Sequence, residues 1–324
     1  MRKLSPDISC PLGGKASSPF KAGQFRIFPM VLLQLHLGQN RFIGGKGWAT
    51  QLLKEIAAPG VHFSLGWRKK QVSASLVFVF FAALNARATW IEKESRSETS
   101  SVHALIHRYL VLEDSETGER SSIELALFAT KSFTLRVIDQ PVEPRVDLAV
   151  AMQRAKCLAG VNGGYFDPDY TPIGLLIVDG KTIAPLQRAR LLTGVLTASS
   201  RGIQIMRIGE FSRRRTLDAA VECGPMIVDL GSRVRGLDDT RTARRTFAAI
   251  ARDDRAALGF CSEVTLADLA KILTAQFASD FKIQRALNLD GGSSSGFWFK
   301  RQNGSAFSVP EQKTVRDFVG IVPR

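Results

Sequence analysis

Short apolar runs separated by turn-forming residues fill the chain from Val102 onward. Runs of this length that are rich in β-branched and aromatic residues predict strands, and their alternation with turns is typical of a meander or a sheet edge. The strands predicted in this way are Val102–Glu113, Ser122–Ala129, Phe133–Ile138, Gly174–Val178, Lys181–Ala184, Leu192–Ala198, Gln204–Ile208, Thr246–Ala251, Gly296–Phe299 and Phe318–Val322.

Two segments have the apolar spacing of a helix instead. They are Val146–Cys157 and Thr265–Phe277. In the second segment Thr265 is the predicted N-cap, and Asp268 follows three residues later, which is close to a capping box. We expect this helix to pack against the apolar run that ends at Asp290.

The run that ends at Asp290 stops abruptly at an acid, two glycines and three serines. This predicts a buried strand that delivers Asp290 to a surface loop. Gly291 and Gly292 permit backbone angles with positive φ and a close approach of the backbone to a ligand. Their N–H groups and the hydroxyls of Ser293 and Ser294 could donate to an anionic or hydroxyl-rich ligand. A Gly-Ser turn that Asp290 merely caps explains this stretch alone equally well.

A second apolar run, Leu158–Val161, ends in the same manner at Asn162, Gly163 and Gly164, followed by Tyr165, Phe166 and Asp167. Asn162 and Asp167 could bind sugar hydroxyls, while Tyr165 or Phe166 offers a flat face for stacking. Because Asn-Gly is also a common hairpin turn, a purely structural role stays open.

Charged residues between these two stretches supply further candidates. Glu222 lies between apolar flanks, immediately before Cys223-Gly224-Pro225. A basic loop runs from Arg233 to Arg245, in which Arg244 and Arg245 could hold a phosphate in bidentate fashion or simply be exposed. Most of the net charge of +14 lies elsewhere, because residues 1–88 hold 12 Lys and Arg and only two acidic residues. Nucleic acid is therefore not expected as a partner.

Residues 61–88 have the three parts of a secretory signal peptide. Arg68-Lys69-Lys70 precedes an uncharged apolar run, and Ala86-Arg87-Ala88 forms the predicted cleavage site. A membrane anchor would need about 20 apolar residues, and a buried strand and helix is the remaining alternative. We therefore expect a periplasmic or secreted protein whose only membrane contact is the signal peptide. Residues 1–60 are predicted to be unstructured or untranslated, 89–101 to be a disordered lead-in, and 102–324 to form one domain.

Cysteines and histidines do not point to a metal site. Cys157, Cys223 and Cys261 follow the predicted cleavage site without a C-x-x-C spacing, so they can form at most one disulfide. His103 and His107 are four residues apart, but the segment is predicted as a strand, which favours structural roles. We identify no cofactor from the sequence, and a metal ion near Asp290 stays open.

Six motifs in order resemble the phosphodiester glycosidase family over about residues 102–322. They are Asn162–Phe166, Pro172–Leu175, Cys223–Val228, Arg245-Thr246, Thr265–Ala270 and Ala286–Ser294. The resemblance implies an α+β fold, a mixed β-sheet with packed helices, in a single domain. It also implies hydrolysis of a sugar-1-phosphodiester to free sugar and a phosphomonoester, and many bacterial relatives are exported and linked to exopolysaccharides. The site residues that it implies are Asn162, Gly163, Gly164, Arg245, Asp290, Gly291 and Gly292. Gln284 and Arg285 stand where relatives often have a cysteine, which puts a family disulfide in doubt.

The chemistry needs a carboxylate near C1 and donors for the phosphate. Asp290 is the first candidate carboxylate, with Glu222 or Asp167 as the second. Two alternatives belong to other classes: a polysaccharide-binding domain without activity, and a serine hydrolase built on Ser293–Ser295. The serine hydrolase has no evident base, since the histidines lie far upstream and no G-x-S-x-G occurs.

Overall fold

The computed structural model describes residues 90–102, 104–212, 216–275, 277 and 280–324. The predicted leader and signal peptide, together with His103, lie outside these residues. No helix within the described ranges has the length and apolar content needed to cross a membrane.

Eighteen strands and two α-helices form from the described residues. In chain order they are β1 (Trp90–Thr99), β2 (Leu105–Asp114), β3 (Arg120–Ala129), β4 (Phe133–Asp139), α1 (Leu148–Arg154), β5 (Ala159–Asn162), β6 (Leu176–Val178), β7 (Lys181–Ala184), β8 (Gly194–Ser199), β9 (Gly202–Arg207), β10 (Ala219–Cys223), β11 (Met226–Asp229), β12 (Ser232–Arg233), β13 (Ala243–Ala251), β14 (Arg255–Val264), α2 (Leu266–Ala275), β15 (Ile283–Asn288), β16 (Phe297–Lys300), β17 (Ala306–Val309) and β18 (Asp317–Pro323).

The strands form three sheets in which each pair of neighbours is antiparallel. The first sheet has the order β1-β2-β3-β14-β13-β15-β11-β12. The second sheet is β7-β6-β10-β8-β9, and the third is β17-β16-β5-β18-β4. Part of the expected lead-in, Trp90–Thr99, is the edge strand β1 of the first sheet. Its side chains are mostly exposed, and its pairing with β2 depends on backbone groups that do not require apolar side chains.

The expected α+β class, a mixed sheet with packed helices, is wrong. The two predicted helices do form, as α1 and α2, but they are the only α-helices in the described part of the chain. The sheets bury their faces mainly against one another, so that Phe128, Leu196 and Phe297, one from each sheet, belong to a single core. The fold is therefore a layered, mostly antiparallel β structure.

Each helix covers an outer face of one sheet. The buried side of α2 joins a cluster with residues of the first sheet, among them Phe247 and Ala286. Leu148 and Met152 of α1 pack on Trp298 and Phe318 of the third sheet. Asp147 caps α1, because its side chain accepts a hydrogen bond from the Val150 N–H at 2.8 Å. The helices close the core from outside and leave the strand ends open.

Candidate active site

Asn162 at the end of β5 joins the two glycine-containing stretches that the sequence singled out. Its Nδ2 donates to the Asp290 carbonyl at 2.7 Å, and its Oδ1 accepts from Thr246 Oγ1 at 2.7 Å and from the Gly296 N–H at 3.1 Å. The Asp290 N–H in turn donates to the Gly163 carbonyl at 3.0 Å. Because Asn162 is fully buried, these contacts fix two turns that lie 128 residues apart in the sequence.

The Asp290 side chain lies at the surface of this junction and is half-buried. Its Oδ1 accepts the Gly291 N–H at 3.0 Å. Burial raises the pKa of the Asp290 carboxyl, while the nearby Ser294 hydroxyl and Lys313 lower it. The buried Ser294 hydroxyl therefore lies within reach of the Asp290 carboxylate.

Tyr165 and Asn288 complete one wall of the junction. Tyr165 donates its phenol proton to the Gly224 carbonyl at 2.5 Å, and Asn288 Nδ2 donates to the same carbonyl at 2.9 Å. Burial raises the pKa of Tyr165 strongly, which keeps the phenol neutral. Among the described residues, Asn288 Oδ1 is buried without a hydrogen-bond partner. The Tyr165 hydroxyl thus anchors the wall, while the ring is partly buried.

Phe166 and its surroundings form the rim next to this wall. Its ring stacks on Tyr170 with 5.1 Å between centroids, and Lys313 Nζ lies 5.0 Å from its ring centroid. The rim thus places a cation near Asp290, as the effect of Lys313 on the Asp290 pKa also indicates.

Glu222 and Asp167, the other two predicted carboxylates, have structural partners of their own. Glu222 Oε2 accepts the Leu175 N–H at 2.7 Å and the Gln187 N–H at 3.0 Å. Burial raises the Glu222 pKa, and its Oε1 is buried without a partner. Asp167 Oδ1 caps its own loop by accepting the N–H groups of Asp169 and Thr171 at 2.9 and 2.8 Å. The hydrogen bonds of these two carboxylates thus lead away from the Asn162–Asp290 junction.

Arg244 and Arg245 each make two hydrogen bonds to backbone carbonyls. Arg244 Nη2 donates to the Ser295 and Pro310 carbonyls at 2.5 and 2.7 Å. Arg245 Nε donates to the Val264 carbonyl at 3.0 Å and its Nη2 to the Arg241 carbonyl at 2.6 Å. The Arg245 side chain also lies beside Gly291. Both arginines therefore border the junction, Arg244 through the Ser295 carbonyl and Arg245 beside Gly291.

Asp317, at the start of β18, is a site residue that the sequence did not reveal. It is 1% exposed, and its Oδ1 accepts the Gly164 N–H at 3.0 Å. Its Oδ2 is buried and has no hydrogen-bond partner among the residues that the structure describes. Burial and the nearby Asp139 and Asp290 carboxylates raise the pKa of Asp317 to about 7. An acid placed before an apolar run is the one signal that could have identified it.

The serines, histidine and cysteines do not form a second catalytic arrangement. Ser293 is exposed, the buried Ser294 hydroxyl lies beside Asp290, and the buried Ser295 hydroxyl makes no hydrogen bond within the described part of the chain. His107 is held by Glu98 and Glu124 at 2.8 and 2.7 Å, so its ring nitrogens do not serve a serine. The described residues hold no group of three acidic, His or Cys side chains able to bind a metal ion. Their cysteines, Cys157, Cys223 and Cys261, are free and buried.

Comparison with known proteins agrees with this layout. A family model described as phosphodiester glycosidase matches residues 155–322. Among solved structures, the catalytic domain of zebrafish N-acetylglucosamine-1-phosphodiester alpha-N-acetylglucosaminidase is similar. The similarity has a TM-score of 0.54 and 17% identity and covers 72% of this chain and 89% of that one. A hypothetical protein from Synechocystis matches with a TM-score of 0.50 and 14% identity, over 69% of this chain and 63% of that one. No curated protein matches the sequence.

Proposed function

Because this chain belongs to the phosphodiester glycosidase family, we propose that it hydrolyses a sugar-1-phosphodiester to free sugar and a phosphomonoester. One observation carries the proposal. The family match contains both the Asn162 turn and the Asp290 turn, and these are joined by the hydrogen bonds Asn162 Nδ2 to Asp290 O and Asp290 N to Gly163 O. A carboxylate is thereby held at a rigid surface junction with donors around it.

The proposed reaction breaks the bond between C1 and the phosphate oxygen. The electron pair leaves with the phosphate, which is a stable anion and needs little protonation by a general acid. Water supplies the hydroxyl at C1, and its remaining proton leaves with the phosphomonoester or the solvent. Asp290 stabilises the positive charge that develops at C1. Arg245, whose side chain lies beside Gly291, and the N–H groups at the start of the Gly292–Ser294 turn are the proposed donors to the leaving phosphate.

A panel of sugar-1-phosphodiesters tests this proposal. It includes N-acetylglucosamine-1-phosphodiesters, which the name of the zebrafish enzyme specifies for that protein. We expect release of reducing sugar from at least one member and much slower release from the matching aryl glycoside, because the phosphate donors have nothing to stabilise there. Saturable binding of a saccharide without any release would instead identify the chain as a polysaccharide-binding domain.

We further propose that the protein is exported to the periplasm or secreted, and that its substrates belong to an exopolysaccharide or another envelope glycan. The basis is the signal-peptide pattern of residues 61–88. Residues 61–95 fused to a reporter should direct it out of the cytoplasm and be cleaved after Ala88. A reporter that stays in the cytoplasm, or that stays uncleaved in the membrane, contradicts export.

A further inference from the structure

Asp317 is a buried acid whose hydrogen bonds lead to Asp290 through one glycine turn. The reaction described above does not use its carboxyl group. Its Oδ1 holds the Gly164 N–H, and its backbone carbonyl holds the Gly163 N–H at 2.9 Å. The carbonyl of Gly163 then receives the Asp290 N–H at 3.0 Å. A single peptide turn therefore connects Asp317 to the candidate catalytic carboxylate.

We propose that Asp317 is the positioning residue of the site, which fixes Asp290 through the Gly163–Gly164 turn and does so in its uncharged, protonated form. The Asp317 carboxyl lies close against the turn, since a Cβ on Gly163 would be 1.7 Å from Asp317 Oδ1. The uncharged form follows from the environment of Oδ2, which is buried and receives no hydrogen bond from the described residues, because a buried charged oxygen without a donor is costly.

The charged groups around Asp317 support the same protonation state. Asp139 on β4 and Asp290 after β15 both raise the Asp317 pKa, while Arg316 lowers it. Arg316 forms its ion pair with Asp139, through Nε and Nη2 at 2.5 and 3.1 Å, and burial still outweighs its effect on the Asp317 pKa. From β10, the Cys223 thiol also lies within electrostatic range of Asp317, and its own pKa is raised well above the usual value.

A functional consequence follows from the charge that Asp317 acquires at higher pH. With Asp317 neutral, the nearby Asp290 can ionise without a second negative charge beside it. When Asp317 ionises, its negative charge repels the negative charge on Asp290. It also leaves an unpaired charge beside the Gly163–Gly164 turn. The working form of the site therefore has Asp317 protonated and Asp290 ionised, and turnover should fall as the pH rises through about 7.

Two variants test the proposal through activity, and this part rests on the proposed function. Asp317→Asn keeps an oxygen for the Gly164 N–H and is neutral at any pH, so kcat should match the unchanged protein at acidic pH. The fall in kcat above neutral pH should disappear in this variant. Asp317→Ala removes the acceptor for Gly164, and its kcat should fall about tenfold or more at each pH with a smaller change in KM. If kcat of Asp317→Asn still falls above neutral pH as in the unchanged protein, the proposal is wrong. It is also wrong if kcat of Asp317→Ala is normal.

A measurement of stability tests the protonation state without any substrate. The folded pKa of Asp317 is raised above its unfolded value, so the folded state binds more protons between the two values and stability falls as the pH rises. The urea midpoint of the unchanged protein should decrease between about pH 4 and pH 7 relative to that of Asp317→Asn. Parallel midpoints for the two proteins refute the uncharged form. If the urea midpoints of the two proteins differ with pH but no substrate is turned over, the protonation state assigned to Asp317 stands. Only the glycosidase function is then refuted.

Discussion

Asp290→Asn is expected to fold as the unchanged protein does and to lose nearly all turnover of sugar phosphodiesters. The fold should persist because Asn162 and Gly163 contact only backbone atoms of residue 290. An amide oxygen can also replace Oδ1 as the acceptor for the Gly291 N–H. The amide carries no negative charge, however, and so does not stabilise the positive charge that develops at C1. We expect kcat/KM to fall about 10³-fold, which corresponds to about 4 kcal/mol of transition-state stabilisation.

Asp167→Asn provides a matched control for this loss. The same chemical change is made at a carboxylate that caps its own loop through the N–H groups of Asp169 and Thr171. Asparagine is itself a good residue for such turns, so both stability and turnover should stay near normal. Turnover on the active phosphodiester and urea unfolding should be measured for both variants. If Asp290→Asn is folded and turns over normally, Asp290 has no part in the chemistry and Glu222 becomes the next carboxylate to test.

Gly163→Ala should give a large loss of stability. The new Cβ would lie 1.7 Å from Asp317 Oδ1 and 2.8 Å from its Cγ. To make room, the buried Asp317 side chain must leave its place, although β18 and β5 are paired beside it at Phe318 and Asn162. Such a shift would break the bond from the Gly164 N–H to Asp317 Oδ1. We expect a decrease in the free energy of unfolding of about 3 kcal/mol or more, measured by urea denaturation.

Two further variants separate this clash from a general effect of adding a methyl group. Gly209→Ala should change stability by less than about 0.5 kcal/mol, because nothing lies within 4 Å of a Cβ at that position. In the double variant Gly163→Ala with Asp317→Ala, the atoms of the clash at 1.7 and 2.8 Å are gone. Its loss of stability should therefore be smaller than the sum of the two single losses. If the loss of stability in the double variant equals the sum of the two single losses, the clash is not the cause of the loss in Gly163→Ala.

The local sequence pattern predicted the features that depend on residues close together in the chain, which are the helices and the turns. The helices α1 and α2 follow from the apolar spacing and, for α2, from Thr265, whose hydroxyl accepts the Asp268 N–H at 3.0 Å. The turns at Asn162 and Asp290 were also visible as apolar runs that end in a polar residue and two glycines. That these turns touch each other depends on sheet topology, which one sequence does not contain. The resemblance to a family supplied that link.

Long-range partners explain what the sequence missed. Asp317 reads as an ordinary acid before a strand, and its importance comes from Gly164, 153 residues away. From the sequence, Arg244 and Arg245 could bind phosphate or be exposed, whereas in the structure both are anchored to backbone carbonyls such as those of Pro310 and Val264. The fold class failed for a similar reason, because the pattern of a strand does not reveal whether a helix or another sheet will cover it.

The position of β18 in the third sheet has a consequence for how the protein is made. β18 lies between β4 and β5, and Arg316 beside it is 177 residues from its partner Asp139. During synthesis, β4 and β5 therefore leave the ribosome long before the strand that joins them exists. Two unpaired strands with apolar faces are prone to associate with other chains, and such distant pairing also slows folding. We infer that the nascent chain has its greatest need of a chaperone while residues 162 to 317 are being synthesised, because β18 is not yet available to pair with β4 and β5.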